Sequence, residues 1–264
     1  NAKTLLTEVK NTALDFEQRR TAAILLGDEF KKSENMEKVI DNFYSFLGER
    51  RDPVVEKLFK ENLDNYLYDL EKKGDFQGIL TTWFKIKNRK SYLSPAILLR
   101  FGEILFRAKM FANAEEIYRH ITKYRMYSDS WPSALKQLIR IYFQLGQYEN
   151  CLQQYRQLLL DPEANNDEFT YYRLFCLRSL GRETEFDKLL DSLAPTFTPI
   201  SDVFRYRIAQ LKAEQLGKAK KYDDALAIYQ QMIPFDQAPP EDQGYLMISM
   251  ANLYYSLKDL ESSL

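Results

Sequence analysis

Apolar residues recur along the chain at helical spacing, and the rhythm breaks at short polar or glycine-containing turns. Leu63, Tyr66, Leu67 and Leu70 stand before Gly74, and Ile79, Trp83 and Ile86 after it. Both sets mark one buried face of a helix, so the segment predicts two amphipathic helices joined by a tight turn. The plan repeats. Phe101-Gly102-Glu103-Ile104-Leu105 is followed by Phe111, Ala114 and Tyr118, and Leu138-Ile139 with Tyr142 is followed by Gly146, Tyr148, Cys151 and Tyr155. In each copy a large apolar residue is followed by a more compact one, and beyond the turn a small residue stands four before an aromatic ring. The turns fall at Glu34, Gly74, Lys109, Gly146, Gly181, Lys220 and Lys258, roughly 35–40 residues apart. Glycine suits such a turn because the first helix ends in a left-handed residue. Alternating apolar stretches are too short and isolated to predict a strand.

The predicted architecture is an all-α solenoid of stacked antiparallel helix pairs. At 264 residues the chain exceeds a usual single core, a limit that repeats touching only their neighbours escape. Residues 1–20 read as a leading helix, in which Asn1-Ala2 resembles the scar of tag cleavage, so the chain reads as a piece of a longer protein. Residues 21–264 read as about seven repeats forming one solenoid, the last incomplete. The first repeat carries Leu26-Gly27 and Phe30, then Met36, Val39 and Phe43; the sixth carries Tyr222, Ala225 and Tyr229 and ends at Pro234; the seventh has Met250-Ala251 and Tyr254. The fifth departs from the pattern. Glu183 stands where the aromatic is usual and Phe186 where the small residue is usual, and Pro195 and Pro199 bracket a loop before a helix expected to start at Ser201-Asp202.

This grammar resembles the tetratricopeptide repeat (TPR) family from about Thr21 to Leu264, most specifically in the third, fourth and sixth repeats. The first-helix Trp best known in the family is absent. The stretch from Tyr118 to Pro132, continued by Ala134 to Tyr155, is similar to bacterial envelope-assembly and Tol-Pal-associated repeats, which would place the chain at the periplasm or cell envelope; the alternative is the cytoplasm, where two unpaired cysteines are equally at home. The resemblance implies a right-handed superhelix whose first helices line a groove for a protein or peptide. Carried over residue by residue, the groove would take Asp64 and Tyr68 from the second repeat and Arg100, Glu103, Phe106 and Arg107 from the third. The fourth would give Lys136, Arg140 and Phe143, the fifth Tyr171, Phe175 and Arg178, and the seventh Tyr245, Asn252 and Tyr255. The chaperone-tail clamp of the family needs an Asn one turn after Lys136, where this chain has Arg140.

The remaining chemistry narrows the functional reading. A net charge of −1 gives no global field to recruit nucleic acid or anionic membrane. Eighteen Tyr and 17 Phe against two Trp suit wedging between helices. No Gly-rich phosphate loop, His-Glu-x-x-His or Gly-x-Ser-x-Gly occurs, so a non-enzymatic scaffold without metal or cofactor is expected. His120 reads as a surface or packing residue. Lys85-Ile86-Lys87-Asn88-Arg89-Lys90 and Lys218-Ala219-Lys220-Lys221 read as helix ends carrying cations where the macrodipole favours them. Cys151 and Cys176 lack metal-ligand spacing, and their placement in different helices of adjacent repeats argues against a disulfide. Arg100, Arg107, Lys136, Arg140 and Arg178 beside the groove aromatics predict a cationic wall for an acidic, apolar peptide. The alternative is a regulatory or sensor module whose enzymatic or DNA-binding domain lies outside this sequence, with membrane contact only through flanking segments.

Overall fold

A computed structural model describes residues 2–124, 129–159, 166–193, 203–232 and 240–263. The expected loop at Pro195 and Pro199, the cap at Ser201-Asp202 and the repeat end at Pro234 lie outside them. The described residues form fourteen α-helices and one short 3-10 helix, and they contain no strand. The chain divides into two compact halves, Asn1–Ala134 and Leu135–Leu264.

The N-terminal half holds α1 (Ala2–Thr12), α2 (Phe16–Lys32), α3 (Met36–Glu49), α4 (Pro53–Lys73), α5 (Phe76–Ile86), α6 (Pro95–Arg107) and α7 (Phe111–Tyr124). A 3-10 helix, Lys87–Tyr92, joins α5 to α6. Helix α8 (Trp131–Gln144) crosses into the C-terminal half, which continues with α9 (Tyr148–Leu158), α10 (Asp167–Ser179), α11 (Glu183–Ser192), α12 (Val203–Lys218), α13 (Tyr222–Gln231) and α14 (Pro240–Ser263). Starts are written into the sequence. Asp15, Asn35, Asp52, Asp75, Ser94 and Asn166 each accept a backbone N–H of the first helical turn. Pro53 and Pro95 open α4 and α6, where a missing N–H costs nothing.

Six pairs close in the same way. Glu34, Gly74, Lys109, Gly146, Gly181 and Lys220 all have positive φ, between 53° and 68°. At Gly74 the amide donates to the Glu71 carbonyl and the next amide, Asp75, to the Leu70 carbonyl. The same two bonds recur at the other five turns, for example Lys109 to Phe106 with Met110 to Leu105. They satisfy carbonyls that a helix end leaves open. The turn expected at Lys258 is absent, because α14 runs unbroken through it to Ser263. A left-handed Lys costs roughly 1 kcal/mol. At Lys109 and Lys220 the two capping bonds and the second helix that follows offset that cost; among the described residues no helix follows α14.

Packing within a pair rests on small residues meeting rings. A Cβ placed on Gly102 would lie 2.6 Å from Tyr118, which is fully buried. Gly27 has the same relation to Phe43, at 2.5 Å. Between neighbouring repeats, the buried Trp83 of α5 packs on Phe101 of α6 with ring centroids 5.2 Å apart. The leading helix docks through a buried polar chain. Lys10 Nζ donates to Asn42 Oδ1 at 3.2 Å, and Asn42 Nδ2 to the Ala23 carbonyl at 2.7 Å. Burial lowers the Lys10 pKa, partly opposed by the Glu49 charge.

The basic stretch 85–90 is a joint. Lys85 pairs with Asp41 at 2.6 Å and Glu37 at 3.6 Å, Arg89 lies over Tyr44 and donates to its carbonyl, and Lys90 pairs with Glu116.

Gly102→Val should cost about 1–3 kcal/mol, because the added branch meets a ring that cannot retreat. The exposed Gly244, which has nothing within 4 Å of its added Cβ, gives the control: Gly244→Ala should gain about 0.5–1 kcal/mol from helix propensity. Chemical denaturation of both variants measures the contrast.

Candidate partner-binding site

The first helices of the C-terminal half carry a continuous aromatic cluster. Phe143 of α8 stacks on Tyr172 of α10 at 4.1 Å and meets Phe175 edge-on at 5.2 Å. Tyr171 lies 6.0 Å from both Phe175 and Phe204, and Tyr148 joins Phe175 at 5.8 Å. All of these rings are half-buried. Helical spacing explains the grouping: 171, 172 and 175 occupy neighbouring positions on α10, between α8 and α12.

Charges fill the gaps between these rings. Arg140 grips Glu168 with two hydrogen bonds of 2.6 Å and lies 5.4 Å from the centroid of the Phe169 ring. Burial first, and then the nearby Glu168 carboxylate, push the Tyr172 phenol pKa well up and hold the proton in place. Arg178 pairs with Glu214 at 3.1 Å, and Glu214 further accepts from Gln210 and from the Tyr245 hydroxyl. Arg207 lies over Tyr171 at 5.5 Å and pairs with Asp242 at 3.7 Å.

A cleft of about 490 Å³ opens here, lined by Tyr171, Phe175, Arg178, Arg207, Gln210 and Glu214 among others. Every lining residue comes from α10, α12 or α14, all of them first helices. Tyr171, Phe175 and Arg178 were expected at such a surface. Sequence reasoning passed over Arg207, Gln210, Leu211, Glu214 and Asp242. A usable signal was present: opposite charges stand one repeat apart, with Arg178 and Glu214 separated by 36 positions, as are Arg100 from Asp64 and Arg107 from Glu71.

The remaining expected residues are distributed differently. In the N-terminal half, Arg100 pairs with Asp64 at 2.9 Å and with Glu71, and its guanidinium lies 5.9 Å from the ring of the exposed Tyr68. Arg107 is exposed and meets Glu71 at 3.1 Å, while Phe106 packs on Phe111 of its own repeat at 5.5 Å. Lys136 is half-buried on α8. Asn252 and Tyr255 are exposed on α14 and do not line the cleft. Glu103 is exposed on α6.

The expected cationic wall is therefore corrected. Arg100, Arg107, Arg140 and Arg178 each face a carboxylate of a neighbouring first helix, and their charge is matched inside the protein. An arginine paired in this way does not present an unmatched charge to a partner.

His120 is half-buried and packs at a tilt on Tyr124, with ring centroids 5.0 Å apart. Among the described residues no group of acidic, His or Cys side chains is placed to hold a metal, and no helix is long and apolar enough to cross a membrane.

If the arginines act as joints, Arg140→Ala should lower stability by about 1–2 kcal/mol. A double-mutant cycle with Glu168→Ala should return a coupling near 1 kcal/mol that shrinks with salt. Zero coupling in urea denaturation would place Arg140 outside the joint.

No family model matches the chain, and no curated protein matches it. Solved structures to which the chain is similar include the following three. A tetratricopeptide repeat protein from Parabacteroides merdae is 14% identical, with 90% of this chain and 87% of that one covered and a TM-score of 0.47. A human IFIT1 dimer with PPP-AAAA is 14% identical, with 98% and 59% covered and a TM-score of 0.38. The P58(IPK) TPR domain is 17% identical, with 96% and 82% covered and a TM-score of 0.36. The TPR-like description rests on the six capped helix pairs themselves.

Proposed function

We propose that the chain is a non-enzymatic scaffold that binds a protein or peptide through the first-helix cleft of its C-terminal half. The carrying observation is the pairing of half-buried Tyr171 and Phe175 with the alternating charges of Arg178, Glu214, Arg207 and Asp242 in one cleft. Rings of this kind present large contact area at low entropic cost. The paired charges along the rim can hydrogen-bond the amides of an extended segment without demanding a net charge from it. An apolar side chain seated against Phe175 is then the anchor, and the rim selects for polar main-chain groups beside it. This favours an apolar, near-neutral peptide over the strongly acidic one that an unpaired arginine row would select.

A photo-crosslinking residue placed at Gln210 should capture the native partner, whereas one placed at Asp224, exposed on the second helix α13, should not. Phe175→Ala should weaken that partner by roughly 30-fold, the scale of an anchor residue, with an unchanged circular dichroism spectrum. Equal capture from both positions would move the binding face elsewhere.

A further inference from the structure

Cys151 and Cys176 are the only cysteines in the chain, and both are buried, with 1% and 0% of their surface exposed. Their helices, α9 and α10, pack against each other. The register is fixed by an independent contact: the Arg173 guanidinium lies 5.2 Å over the Tyr155 ring. Stepping one turn back along α9 leads from Tyr155 to Cys151; stepping one turn forward along α10 leads from Arg173 to Cys176. In antiparallel helices these steps run the same way, so the two cysteines face each other. The side chains meet there. The two thiols influence each other's protonation, and the Cys151 thiol donates to the Ile139 carbonyl of α8 at 3.7 Å.

The position suits close approach. Cys151 stands four before Tyr155, where the third repeat has Ala114 before Tyr118 and the sixth Ala225 before Tyr229. A small side chain is the rule at this place, and a disulfide needs neighbouring Cβ atoms that a bulkier pair would hold apart.

We propose that Cys151 and Cys176 form a redox modification site, a buried dithiol that a peroxide converts into an intramolecular disulfide joining the fourth repeat to the fifth. The chemistry closes with that oxidant alone. One sulfur attacks the peroxide, the O–O bond breaks, and a sulfenic acid and water form. The second sulfur then displaces the hydroxyl, which leaves as water with the second thiol's proton. Two thiols lose two electrons and two hydrogens; the peroxide becomes two waters. Contact between the side chains makes the second step fast and intramolecular, ahead of over-oxidation. The first step is slow in the packed state, because the neighbouring Cys151 thiol, and then burial, keep the Cys176 thiol protonated. The site therefore responds to sustained oxidant. Tyr172 and Phe175 stand one turn and one residue before Cys176 on α10, so the staple would sit beside the aromatic cluster. The inference stands whether or not that cluster binds a partner.

The test uses hydrogen peroxide on the purified chain, at ambient temperature and again in urea below the unfolding transition, with a dithiothreitol-treated control. Alkylation after full denaturation, followed by mass spectrometry, reads the products. The expected result is a monomer lacking two hydrogens, a Cys151–Cys176 linked peptide, and a melting temperature raised by roughly 5 °C or more. Cys151→Ala, the residue other repeats carry at this position, should fold and yield no linked peptide. Thiols still fully alkylated under both conditions, sulfinic or sulfonic products alone, or only intermolecular disulfides would each overturn the proposal.

Discussion

The architecture depends on how closely the two helices of a pair can approach. Gly27 against Phe43 and Gly102 against Tyr118 leave no room for even one added carbon. That contact brings the second helix near enough for the turn between them to be a single left-handed residue. With the turn fixed, the two capping bonds that follow it are fixed as well. Each pair is thereby a stiff unit with an apolar stripe on either side, which only a neighbouring pair can cover. Rings at those boundaries, such as Trp83 on Phe101, pack into a core that is otherwise mainly Leu, Ile, Val and Ala.

Polar interactions set the register on which the apolar ones act. A ring-on-ring contact tolerates sliding, whereas Arg140 held by two bonds to Glu168 does not. Exposed pairs of this kind are worth only about 0–1 kcal/mol each, so their consequence lies in alignment more than in total stability. Alignment is what creates the cleft. Arg178 on Glu214 and Arg207 on Asp242 hold α10, α12 and α14 at a spacing that leaves Tyr171 and Phe175 between them, half covered. The residues that join the repeats and those that line the cleft are thus partly the same. A ligand seated there would feel any change in the joint.

Much of this was legible in the sequence, because a helix pair is a local object. Periodicity located the turns at Glu34, Lys109 and Lys220 although none is a glycine, since each is followed within four residues by an apolar residue that opens the next helix face. The same reasoning failed at Lys258, where the apolar spacing persists but α14 continues. It also failed where the answer depended on contacts between repeats. The groove arginines were read as available for a ligand because their carboxylate partners stand a whole repeat away in sequence. Cys151 and Cys176 are free, as expected, but their placement on packed consecutive helices was not read from the sequence. Helix α12 contributed no expected site residue, and it supplies the centre of the cleft.

Hydrogen–deuterium exchange with and without the captured partner tests the central claim most directly. Amides of α10, α12 and the first turns of α14 should gain protection, while those of the second helices α11 and α13 keep their rates. New protection confined to α11 and α13, or found only in the N-terminal half, would contradict the assignment of the cleft as the binding face.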